Sequence, residues 1–145
     1  MRRARSLTAN RWTDLNMKHL SLITLLLLGC TQGRMAVVRE DADIRFNFGS
    51  QEEPAHVLGI TVFEMDGGNR GQTICSLERS SKFVVPAEMS TWTYGKPLPQ
   101  TGFYPVGCGP LTIGREYGVA ISDASHRNFF KRFRLAEDGR ILTVD

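Results

Sequence analysis

Hydrolytic chemistry needs a nucleophile, a base and an orienting acid, and this chain offers few residues for it. After Cys30 there are two histidines, His56 and His126, and Ser125 stands directly before the second. His56 follows Pro54-Ala55, and His126 lies in the run Ser122-Asp123-Ala124-Ser125-His126-Arg127, so both read as turn residues. Adjacency along the chain does not create the geometry of a triad. Carboxylates gather at Glu40-Asp41-Asp43, Glu52-Glu53 and Glu137-Asp138, in charged turn-like runs rather than the split environments that acid–base work requires. Asp66-Gly67-Gly68-Asn69 supplies too few oxygen ligands for calcium. No Cys/His spacing suits zinc, and no glycine loop joins a strand to a helix as a phosphate cradle would. The sequence therefore predicts a protein that is not an enzyme, with no metal and no cofactor.

Binding chemistry has better candidates. Trp92, Tyr94, Phe103 and Tyr104 fall in one proline- and glycine-rich stretch, with Lys96 between them. Trp and Tyr give much contact area for little entropy, so these four form a candidate binding surface; alternatively they plug one end of the fold. A second candidate is the basic stretch Arg127, Lys131, Arg132 and Arg134, interleaved with Phe129, Phe130 and Phe133. In a strand, Arg132 and Arg134 share one face while Phe133 and Leu135 take the other. Such a pair could meet an acidic partner, or it could guard an exposed strand edge.

Ahead of these lies Leu20 to Cys30, LSLITLLLLGC, preceded by Lys18 and His19. The apolar run is shorter than the roughly 20 residues of a membrane-spanning helix and suits the core of a secretory signal. Its end, Leu27-Leu28-Gly29-Cys30, resembles the lipobox of bacterial lipoproteins. The resemblance covers Met17 to Cys30 and implies acylation of the Cys30 thiol with chains such as palmitate, cleavage before Cys30, and membrane anchoring. Thr31 stands where an aspartate would imply inner-membrane retention, so the resemblance points to the outer membrane, facing the periplasm. Residues 1–16 are long for a signal's basic head, and Met17 offers a more ordinary start.

Removing residues 1–29 changes the electrostatics. The formal charge of +3 falls to −1, with thirteen basic and fourteen acidic residues left. Nucleic-acid binding rests on concentrated positive charge and is not expected. Setting Cys30 aside leaves Cys75 and Cys108, an even number for an oxidising compartment, and a disulfide between them is expected.

The elements that position these groups read as strands. Residues 30–42 look like a lipidated tether, although Met35 to Val38 could begin a strand, and the domain proper is placed at 43–145. Ile44, Phe46 and Phe48 alternate with polar residues, and Val57 to Met65 is apolar on both parities, as a central strand would be. Asp66-Gly67-Gly68-Asn69 marks a hairpin. Gln72 to Arg79 returns, and Lys82 to Val85 forms a short strand before Pro86. Met89 to Pro110 carries four prolines, four glycines and four aromatics, which excludes a helix or central strand and leaves a long structured loop or a set of short strands, held at Cys108. The pattern Leu111-x-x-Gly114-x-x-Tyr117-x-Val119 resembles the tyrosine corner of immunoglobulin-like and transthyretin-like sandwiches, and implies that the Tyr117 hydroxyl reaches back to the backbone. Val119 stands where the antibody version has cysteine. Asn128 to Leu135 pairs through Glu137-Asp138-Gly139-Arg140 with Ile141 to Val144.

These features predict an all-β, antiparallel sandwich of about seven or eight strands after an N-terminal signal helix. They predict a lipid-anchored envelope module that binds another protein. In size and architecture it resembles accessory and immunity lipoproteins of type VI secretion, the latter binding a toxin. Two rival readings stand: a carbohydrate- or peptidoglycan-binding lipoprotein using Trp92 and Tyr94, and a periplasmic hydrolase using Ser125, His126 or His56.

Overall fold

The computed structural model describes residues 33–83 and 85–144, which form two packed antiparallel sheets. The expected signal helix and Cys30 lie outside the described residues. Ten strands are present: β1 (Met35–Glu40), β2 (Asp43–Phe48), β3 (Ala55–Asp66), β4 (Asn69–Arg79), β5 (Ala87–Met89), β6 (Thr91–Thr93), β7 (Phe103–Val106), β8 (Glu116–Asp123), β9 (Asn128–Leu135) and β10 (Ile141–Val144). The small sheet runs β1-β2-β6; the large one runs β10-β9-β8-β3-β4-β7, with β5 also on β3. Among the described residues no helix is long and apolar enough to cross a membrane.

Three differences from the sequence reading have physical causes. The stretch expected as a tether contains β1, because Val37 pairs with Phe46 and its neighbours complete the ladder from Met35↔Phe48 to Glu40↔Asp43. Of the expected strand Lys82 to Val85, the described residues Lys82, Phe83 and Val85 form no strand: Lys82 sits in a turn that the Phe83 N–H closes on the Ser80 carbonyl (3.0 Å), and strand pairing is next seen at Ala87, after Pro86. The strand number exceeds seven or eight because the proline-rich stretch, in line with the second of its two readings, holds the short strands β6 and β7, with β5 ending at its first residue. Prolines there limit each strand's length without preventing it.

Alternation decides what is buried. Phe46 and Phe48 from β2 meet Trp92 from β6, and opposite them lie Val57, Ile60, Val62, Leu77, Tyr117, Val119, Phe129 and Phe133 from the large sheet. Phe46 joins the layers, stacked on Trp92 at 5.5 Å and edge-on to Phe133 at 5.8 Å. The Gly67-Gly68 hairpin has positive φ at both central residues, +56° and +87°, the backbone that a two-residue type I′ connection needs.

Register fixes two ends. Met35, Phe48, Ala55, Asp123 and Asn128 lie at one end, with the loops 49–54, 80–86 and 124–127. The turns at 41–42 and 67–68, the 107–115 loop and the 136–140 turn lie at the other. The Gly33 N–H donates to the Asn128 carbonyl (3.0 Å), so the chain enters at the first of these ends.

Candidate functional site

The far end, away from Gly33, is built around two tyrosines and a disulfide. Cys75 on β4 is bonded to Cys108, as expected from cysteine number. That bond and the Gly109 N–H, which donates to the Ile74 carbonyl (3.2 Å), pin the loop after β7 to the large sheet. The buried Tyr117 hydroxyl accepts the Thr112 N–H at 2.7 Å, the interaction that the tyrosine-corner pattern implies. The Tyr94 hydroxyl donates to the Gly109 carbonyl at 2.7 Å, fastening the same loop to the small sheet. Burial, and after it the nearby Tyr117, push the Tyr94 hydroxyl up to about 12, so it stays a neutral donor at any ordinary pH.

Between these braces opens a groove of about 340 Å³. Ile44, Tyr94, Leu111 and Ile113 give it apolar walls, and Arg39 and Asp43 stand among its lining residues. Ile113 is 54% exposed, unusual for isoleucine in a loop braced at both sides. Such a groove takes an apolar side chain of a partner with a polar group beside it. Its loops are already ordered, so little entropy is lost on binding. Sequence reasoning found Tyr94 but missed Ile44, Leu111 and Ile113. The available signal was an apolar Leu111 and Ile113 flanking Thr112 between a cysteine and a turn glycine.

The four aromatics do not form one surface. Trp92 is 1% exposed and Phe103 is fully buried, so neither belongs to a binding surface. Trp92 is held by its stack on Phe46 and by its indole N–H, which donates to the Lys96 carbonyl (2.9 Å). Phe103 starts β7 and faces the core, while Tyr104 points outward, about half exposed, opposite Glu78. Trp92 and Tyr94 are tilted by 51°, so they offer no coplanar platform for a sugar ring.

Arg132 and Arg134 do share the outer face of β9, with Phe133 and Leu135 buried beneath. However, β9 is flanked by β8 and β10 and is not an edge. Both guanidinium groups reach Glu116, at 3.4 and 3.5 Å. The pair is thereby partly neutralised and reads as a cross-strand brace.

The histidine candidates lie at the near end. His56, Glu88 and Ser125 line one open depression of about 560 Å³. The His56 Nδ1 is 4.0 Å from Glu88 Oε1, and among the described residues no hydrogen bond joins Ser125 to either histidine. The acid beneath them has another task. Asp123 is buried and accepts the backbone N–H groups of His56 (2.6 Å) and Arg127 (3.2 Å), and the Arg127 Nε–H (3.3 Å). Arg127 in turn donates to the Pro54 carbonyl at 2.5 Å. This node locks the 49–54 and 124–127 loops to the adjoining ends of β3 and β8, which identifies Asp123 and Arg127 as structural. Among the described residues no group of three or more His, Cys, Asp or Glu side chains could hold a metal.

The described residues thus define an antiparallel β-sandwich with a disulfide-braced groove at one end. The chain matches no protein-family model, no curated protein and no solved structure.

Proposed function

We propose that this is a lipid-anchored protein of the bacterial envelope, tethered to the outer membrane through Cys30, that binds another envelope protein or a toxin through the far-end groove. The lipobox-like run ending at Cys30 supports the anchor. The groove of Ile44, Tyr94, Leu111 and Ile113 carries the binding reading, because it sets the exposed Ile113 beside the half-buried Ile44, Tyr94 and Leu111, next to a loop already braced by a disulfide and two tyrosine hydroxyls. Within this class, the reading extends to an accessory lipoprotein or an immunity lipoprotein of type VI secretion, which it resembles in size and architecture. They differ in whether the partner is a membrane component or a toxin.

The test is capture of partners from solubilised envelopes with the lipidated protein and its Ile113→Asp variant. One stoichiometric partner is expected with the natural chain, and at least about tenfold less of it with I113D, as for an anchor residue of an interface. A His56→Ala variant should retain it. Equal recovery with I113D, at matched thermal stability, rejects the groove as the site.

A further inference from the structure

We propose that the near end of the sandwich docks on the bilayer itself, with Phe83 and Val85 entering the boundary between headgroups and acyl chains. This rests on the lipid-anchored reading above and adds an orientation to it.

Two independent observations place this end against lipid. The first is the length of the leash. Only Thr31, Gln32, Gly33 and Arg34 separate Cys30 from β1, and Gly33 is already hydrogen-bonded to Asn128. Three residue steps from Cys30 to Gly33 span at most about 11 Å. The headgroup layer is roughly 5–8 Å deep, so an acylated Cys30 keeps the near end within a few ångström of the surface.

The second is the 80–86 loop, which joins β4 to β5 at the same end. Val85 is 72% exposed and Phe83 42%, with Lys82 exposed beside them. Phe83 is half-seated, its ring against Gly102 and beneath the Arg79 guanidinium at 5.3 Å. These contacts hold Phe83 while leaving part of its ring in solvent. Exposed apolar side chains at a loop tip with a flanking lysine are the composition of an interfacial insertion. The strand order puts this loop three ladder steps from Gly33, roughly 14 Å sideways. The lipid and the loop are therefore two separated footholds, and two footholds set a tilt where one would leave the domain swinging.

Charge selects the surface. The exposed charges of this end include Arg34 and Lys82 on one side and Glu52, Glu53 and Glu88 on the other, so it carries no positive excess. The partner is accordingly a zwitterionic phospholipid surface, and attachment depth should not depend on anionic lipid or salt.

The experiment places tryptophan reporters in the full lipidated protein by V85W and, at the far end, I113W, with the natural chain as the Trp92 background. Each is reconstituted in phosphatidylcholine vesicles whose acyl chains are brominated. Mass spectrometry of the mature protein and vesicle flotation report the anchor independently. Docking is supported if V85W emission is quenched at least about twofold beyond the natural chain while I113W is not, as expected for a ring about 5–10 Å deep. It is overturned if the protein is acylated and floats but V85W is quenched no more than the natural chain, or if both reporters are quenched alike. A protein that carries no acyl chain at Cys30 and does not float overturns the anchored reading, and the docking falls with it.

Discussion

At the scale of single residues, Asp123 and Tyr94 show how much one buried polar atom controls. Asp123 gathers the backbone N–H of His56 at the start of β3 and both the backbone N–H and the guanidinium of Arg127 in the 124–127 loop. Asp123→Ala leaves those donors without an acceptor, and Arg127 only partly exposed, with no carboxylate beside it. The expected loss is about 3 kcal/mol, read as a lower urea midpoint at unchanged slope. Tyr94 gives a pH signature. Its hydroxyl is pushed up to about 12 by burial and then by Tyr117, whereas the unfolded chain releases the same proton near the ordinary 10.0. The native state therefore holds the proton more tightly. Its contribution is complete below pH 10 and is lost as pH rises toward 12. Because the side chain is only half-buried, solvent screening reduces the effect. Stability of Tyr94→Phe should fall less steeply than that of the natural chain across this alkaline window, measured by denaturant titration at several pH values.

At the scale of elements, the disulfide and the short strands are the informative parts. Cys75–Cys108 closes a loop across 33 residues that contains the proline-rich stretch as far as Cys108, with β5, β6 and β7. Reduction is expected to cost about 3–4 kcal/mol by chain entropy, visible as a lower denaturation midpoint in reductant. It should also weaken partner capture, since Cys108 holds one wall of the groove. Period-two patterns made β2, β3, β4, β8, β9 and β10 legible in the sequence, because each alternates a core face with a solvent face or is apolar throughout. The tyrosine corner was legible too, since its spacing is set by the turn. What remained hidden depends on neighbours distant in sequence. Val37 is a strand residue because Phe46 pairs with it, and Trp92 is core because Phe46 stacks on it. The groove was invisible for the same reason: Ile44, Tyr94 and Leu111 come from three separate segments that only the sandwich brings together.

At the scale of the whole molecule, the topology has a kinetic consequence. The centre of the large sheet is the pairing of β3 with β8, from Val57↔Asp123 to Glu64↔Tyr117, so its two middle strands come from opposite halves of the chain. Each outer hairpin, β1–β2, β3–β4 and β9–β10, is local, but none buries its apolar face alone. Sheets dominated by distant pairings fold in milliseconds to seconds, and stopped-flow refolding of the oxidised domain should fall in that range. A polypeptide emerging from its amino terminus cannot close this sheet until Asp123 has appeared. Until then one edge of β3 has no partner strand, which leaves the growing chain open to pairing with a strand of another molecule.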